Sequence, residues 1–397
     1  MNKLQQCIMA INSFSMGILL PVLNLVLLEK GSSLQTLPLL LAIYSLTVLC
    51  LELPSGIFAD MYGRKAVFLL SCCFQIISFS LLIAASNIIW LIFAVIFFGL
   101  GRAFSSGSLD ALFIDQALAL HGEGCLAKVT ARLAVLDGAG LALGGIAGGF
   151  VANATGIYTG NIVLRLVLTV TLFILCLAFV KEQPSHDAKQ GKQHTPLIEL
   201  IRQGKQVVFT TPEFGLIFIG VFFIGFLLFS LETYWQPAFM KMATAKNNTW
   251  VLGLITFIGF LAVIIGNTIA QKLLERSGKR WWNVYNICRI IMTAFILVFA
   301  FQKSATGFVF WYAGIYLLLG AGNVAESTLM NKYTPGNMRA SVLSLNSLVA
   351  QIGGLCASLF SSIMVMRLQF SGIWIVAGVL LGGCTIVVAT VTNLGKS

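Results

Sequence analysis

The residues able to do chemistry in this sequence are ionisable side chains set inside long apolar stretches. They are Arg102, Asp110 and Asp115, close together in one stretch, then Asp137, Arg165, Glu232, Arg289 and Glu326. A charge in such surroundings costs about 2.5 kcal/mol or more, so each of these groups needs a partner or a function. The chemistry they offer is reversible protonation and ion pairing in a medium of low dielectric, which can bias one conformation over another. Other chemistries are excluded by type and spacing. The only histidines, His121, His186 and His194, fall in polar loops, with no HExxH pattern and no nucleophile set beside a base, so the chain is not read as an enzyme. No phosphate-cradling Gly-rich loop leads into Lys-Ser/Thr, so ATP does not drive it directly, and no cofactor or metal is expected. Nine cysteines, mostly within apolar runs and without a CxxC pair, read as small buried hydrophobes.

The elements that must position these groups follow from composition. The chain has 397 residues, 58% of them hydrophobic and only 10% charged, with a mean hydropathy of +0.92. A soluble domain carries roughly 25% charged residues, so this chain belongs in a bilayer. Apolar runs lie at 5–28, 36–59, 66–86, 88–115, 128–152, 160–180, 212–239, 250–273, 283–302, 306–331, 341–366 and 370–393. They are too continuous for barrel strands and predict about twelve spanning helices. The first follows only a short polar start and is read as a retained helix rather than a signal peptide. The net charge of +11 is spread through short loops, which points to membrane orientation and not to nucleic acid. With the N-terminus cytoplasmic, only Lys30, Lys241, Lys246, Lys303 and Arg367 fall outside, which predicts both termini inside. The longest polar interval, 182–211, reads as a cytoplasmic linker between two six-helix halves, 1–181 and 212–397.

Three motifs sharpen this reading. In Glu52-Leu-Pro-Ser-Gly-Ile-Phe-Ala-Asp-Met-Tyr-Gly-Arg-Lys65 an apolar run exits the membrane, and Gly63 is placed to take the positive φ of a tight reversal. The spacing of Gly56, Asp60, Gly63, Arg64 and Lys65 resembles the loop between helices 2 and 3 of the major facilitator superfamily of secondary transporters. The other reading is a basic turn that only sets orientation. Glu275, Gly278, Lys279 and Arg280 repeat the acid-x-x-Gly-basic-basic pattern in the second half. In the fifth run, Gly140, Gly144, Gly148 and Gly149 match the GxxxGPxxGG pattern of the superfamily's proton-driven drug exporters, with Gly145 in place of the proline. Glycines four apart leave a flat groove into which another helix can pack closely; generic small-residue packing is the alternative.

The resemblance implies two six-helix halves related by an axis along the membrane normal, with a site between them at the midplane. It also implies a monomeric, proton-coupled secondary transporter of a bacterial inner membrane, exporting a small organic compound. Import of an organic metabolite or anion is the alternative, and a non-transporting receptor a remote one. Asp115 is expected to approach Arg64 and, with Asp60, to form a charge network that latches one state; a static surface pair is the other possibility. Arg102, near mid-depth and about 12 Å from Asp110 along a helix, resembles the arginine of the proton-coupled exporters. It could hold Asp110 or Asp137 ionised, or bind an anionic part of the substrate. Glu232, beside Tyr234, Trp235 and Gln236, is expected to line a cavity or else to reach the outer water. Glu326 stands in the tenth run as the half-repeat counterpart of the fourth. Arg165 and Arg289 are expected to be structural, although Arg289 with Arg102 would suit an anionic compound where the acids would suit a lipophilic cation.

Overall fold

The computed structural model describes residues 3–106, 108–122, 125–180, 212–242, 249–276, 280–334 and 339–394, without the side chains of 53, 60, 121, 127, 212, 339–341, 343, 344, 393 and 394. The linker expected at 182–211 lies outside these residues, as do Gly278 and Lys279 of the second-half motif. The elements are α-helices in the order α1 (Lys3–Leu19), α2 (Leu23–Glu29), α3 (Leu37–Tyr62), α4 (Arg64–Ala84), α5 (Ile88–Ser105), α6 (Ser108–His121), α7 (Leu126–Thr155) and α8 (Thr159–Phe179), followed by α9 (Pro212–Met242), α10 (Trp250–Arg276), α11 (Trp281–Phe299), α12 (Ala305–Tyr333) and α13 (Arg339–Leu394).

Among the described residues, nine helices are long and apolar enough to cross a membrane, or ten when the bent pair α1–α2, angled at 52°, is taken as one span. The sequence expected about twelve, and the difference has local causes. α13 runs through residues 339–394 as one element, yet Gln369 has φ 55° and ψ −173° and breaks it into two arms that match the last two apolar runs. α3 is one helix of 26 residues that carries the second apolar run, and the part of it that can be assessed as apolar, Leu37–Glu52, ends where the side chain of residue 53 lies outside the described ones. The fourth run counts as one span, Ile88–Leu120, although it is discontinuous: α5 ends at Ser105, Ser106 leaves helical geometry at ψ 117°, and α6 begins at Ser108.

Local chemistry sets the ends. Asn87 caps α5 by accepting from the backbone N–H of Ile89 (3.1 Å) and Trp90 (3.3 Å). Gly63, with φ 90° and ψ 151°, is the single residue between α3 and α4, and a residue with a Cβ would be strained there. Within the spans, hydroxyls bond back to carbonyls of their own helix, as Thr169 does to Arg165 (2.8 Å) and Thr385 to Leu381 (2.8 Å). This satisfies polar atoms where no water is at hand. Large apolar side chains such as Phe179, Ile264 and Ile363 are exposed, as a lipid-facing surface requires.

The chain divides into two compact units, one of residues 1–194 and 245–257 and the other of 195–244 and 258–397. In the first, α1 packs along α7 and α4 along α5; in the second, α9 packs along α13 and α11 along α12. Close backbone approaches fall at glycines. Gly225 of α9 meets the carbonyl of Ala350 and Gly353 of α13 meets that of Phe222, while Gly266 of α10 meets Leu317 of α12. Lipid is as apolar as leucine, so helices associate in a membrane through such close packing rather than through hydrophobic burial.

Candidate functional site

The α3–α4 turn carries the first group of expected residues. Arg64 opens α4, and its Nη1 lies 2.8 Å from the Oδ2 of Asp115 in α6, with side-chain exposures of 30% and 55%. Lys65 donates to the carbonyl of Leu177 at 3.0 Å, tying α4 to α8. Gly56, Glu52 and Ser55 of α3, with Arg64, Ser106 and Ser108, line a cleft of about 200 Å³ at the α5–α6 break. Ser55 donates to the carbonyl of Ala103 at 3.0 Å and so fastens α3 to α5 beside that cleft. The side chain of Asp60 lies outside the described ones.

The glycines of α7 serve two faces. A Cβ on Gly140 would sit 2.6 Å from the Cβ of Ser13, one on Gly144 would strike the carbonyl of Phe14, and one on Gly148 that of Ile18. These three therefore seat α1 directly on α7. Gly149 faces the other way: a Cβ there would lie 2.8 Å from the backbone N of Gly253 in the first turn of α10, and Gly145 packs beside Thr256. The position where the exporter pattern has proline thus belongs to the α10 contact. Asn161 of α8, which sequence reasoning missed, is fully buried, and its amide donates to the carbonyls of Ile18 (3.1 Å) and Gly148 (2.7 Å) at the point where α1 and α7 touch. A lone asparagine in an apolar run was the available signal.

The membrane charges fall into distinct settings. Asp137 of α7 accepts from Ser13 at 2.6 Å, and this bond links α7 to α1. Asp110 lies in the first turn of α6, with Asp137 and Arg102 as its charged neighbours. Arg102 is exposed and forms no ion pair within 4 Å among the described residues; its neighbours are Tyr44, Asp110 and Arg165. Arg102 therefore does not directly clamp either Asp110 or Asp137.

In the second unit, Arg289 of α11 and Glu326 of α12 form a buried ion pair at 2.9 Å, with side-chain exposures of 0% and 10%. Arg289 also donates to Asn323 at 2.9 Å and lies 5.3 Å from the ring centroid of Tyr285. Gly322 makes the room: a Cβ there would be 2.6 Å from the guanidinium Nη1. The sequence put Glu326 and Arg289 on separate lists, and only the facing of α11 and α12 joins them. Glu232 of α9 is exposed and accepts from the indole of Trp235 at 3.1 Å, one turn away. Trp235 in turn packs on Tyr312 of α12, with centroids 5.2 Å apart. In this setting the arrangement can carry a proton or hold a ligand.

Membrane helices seated on one another through glycines, with ionisable groups paired inside them, make up a polytopic helical membrane protein. The Major Facilitator Superfamily model matches residues 7–245 and 248–394, and the chain belongs to that superfamily. It is similar to the uncharacterized MFS-type transporter YxaM of Bacillus subtilis, at 25% identity, covering 94% of this chain and 91% of that one. It is also similar to the multi-drug resistance efflux pump PmrA of Streptococcus pneumoniae, at 24% identity over 80% of this chain and 76% of that one. A crystal structure of a variant of the nucleoside transporter NupG shares the fold, with a TM-score of 0.80 at 15% identity and 98% of both chains covered.

Proposed function

We propose that this chain is a proton-coupled exporter of a small organic compound, working by alternating access in a bacterial inner membrane with both termini cytoplasmic. The observation that carries the direction is the glycine face of α7. Gly140, Gly144 and Gly148 seat α1 by backbone contact, the close packing that the exporter-like spacing implies. The efflux pump among the relatives supports the same direction.

Coupling rests on the carboxyl groups held within the spans, Asp110, Glu232 and Glu326. Protonating one of them removes a charge whose pairing favours one conformation, and so shifts the equilibrium between conformations. In this reading Arg64, Asp115 and Asp60 form the latch that opens and closes with each cycle.

The test is an untargeted comparison of small molecules in medium and cells, with and without the gene, in the native host. Export predicts compounds retained in cells and lost from the medium on deletion, with the difference abolished by a protonophore; the opposite shift establishes import. If Asp110→Asn, Glu232→Gln and Glu326→Gln all leave gradient-driven transport unchanged, the coupling assignment falls.

A further inference from the structure

The two units each bury an arginine, and they treat its charge differently. In the second, Glu326 neutralises Arg289 at 2.9 Å. In the first, Arg165 of α8 is 5% exposed and has no carboxylate partner among the described residues. Its Nη1 reaches the carbonyl of Met16 only at 3.5 Å, and its Nε has no hydrogen-bond partner. The guanidinium is packed against aromatic rings, with its carbon 5.0 Å from the Phe79 centroid and 5.2 Å from that of Phe98. Tyr44, stacked on Phe98 at 4.9 Å, has both Arg165 and the exposed Arg102 as electrostatic neighbours. Two guanidiniums and a phenol thus share one neighbourhood. Asp110 is a neighbour of Arg102, whereas the electrostatic neighbours of Arg165 are Tyr44 and Arg102.

Cation–π contact offsets only part of the cost of burying an unpaired charge. A buried cation inside a membrane is almost always paired, and one that is not marks a ligand path. We propose that the missing countercharge is supplied by the transported compound: Arg165, with Tyr44 and Arg102, binds an oxyanion group, a carboxylate or phosphate, on an organic acid with an apolar or aromatic body. The planar guanidinium fork matches such a group with two parallel hydrogen bonds, while Phe79, Phe98 and Tyr44 supply apolar surface for the body. Arg102, being exposed, would meet the anion first, and Arg165 would hold it.

This inference rests on the transport reading, and the experiment separates the two. The full chain is expressed in the deletion host as wild type, Arg165→Gln, Arg165→Lys, Arg102→Gln and Tyr44→Phe, with its amount in the membrane measured each time. Gene-dependent compounds are then sorted by charge at pH 7. The expected result is that these compounds are anionic, that Arg165→Gln reduces their redistribution to the deletion level while Arg165→Lys keeps part of it, and that Arg102→Gln lowers it about tenfold or more at unchanged membrane amount. Should Arg165→Gln fail to accumulate, Arg102→Gln carries the test because its site is exposed. Gene-dependent compounds that are all neutral or cationic, or anions moved at the wild-type rate by Arg102→Gln, overturn the assignment and leave transport standing. If no compound depends on the gene, the transport reading fails and this inference fails with it.

Discussion

Removing one member of the Arg289–Glu326 pair should cost far more than removing both. The two groups meet at 2.9 Å with side-chain exposures of 0% and 10%, so water cannot take over from a lost partner. With Glu326→Ala the guanidinium keeps only Asn323 at 2.9 Å and the Tyr285 ring. Stranding a buried charge in this way costs about 3–5 kcal/mol. Glu326→Gln keeps an acceptor in place and should cost less, about 1–2 kcal/mol, the difference between a charged and a neutral hydrogen bond. The double replacement Arg289→Met with Glu326→Leu removes both charges and fills their volume, and it should be close to neutral or stabilising. The assay is unfolding of the purified chain in detergent micelles, followed by tryptophan fluorescence and analysed as a double-mutant cycle. A large coupling energy is expected, with the double variant more stable than either single one. If each single variant costs under about 1 kcal/mol and the two effects add within about 0.5 kcal/mol, the pair is not a buried electrostatic unit and this reasoning fails.

Four further outcomes follow from named contacts. Gly144→Leu should prevent α1 from seating on α7 and cost about 3 kcal/mol or more, whereas Gly138→Ala, where nothing lies within 4 Å, should be neutral or gain up to about 1 kcal/mol in helix propensity; relative membrane yield and unfolding report both. Asn161→Leu removes the amide that bonds the carbonyls of Ile18 and Gly148 and should cost about 1–3 kcal/mol, read by the same unfolding assay. Gly63→Ala forces a Cβ onto a residue at φ 90° and should lower stability by about 1–3 kcal/mol. Arg64→Gln should change stability by less than about 1 kcal/mol, because that pair is 30% and 55% exposed. If the pair is a latch, Arg64→Gln should nevertheless slow transport, and exchanging the two charges as Arg64→Asp with Asp115→Arg should restore it. Transport by Arg64→Gln at the wild-type rate would reduce the pair to a surface contact.

Much of the architecture could be read along the chain because a bilayer imposes a one-dimensional rule. A span needs about 20 apolar residues whatever surrounds it, so the runs, the polar breaks and the glycine of the α3–α4 turn are written locally. The places where the reading slipped are departures from that rule. The α5–α6 break lies inside a continuous apolar run, in Ser105, Ser106 and Ser108, and hydropathy is blind to it, whereas the Gln369 break falls between the last two runs, where the sequence placed a boundary. The four glycines of α7 looked like one surface in the sequence, yet Gly149 turns to α10 while the others turn to α1. Adjacent positions on a helix are about 100° apart, and which neighbour occupies each direction is not a local property.

The charged residues make the same distinction at the site. The sequence by itself determined that the chain is a membrane protein resembling the major facilitator superfamily and which ionisable groups lie within its spans, because composition and motif spacing are properties of the string. Only the tertiary structure decided which of those charges are already answered. Arg289 and Glu326 meet because α11 and α12 face each other at that depth, while Arg165 meets aromatic rings and, among the described residues, no acid. An ion pair forms across about 3 Å of space, and lateral contacts between helices set that distance.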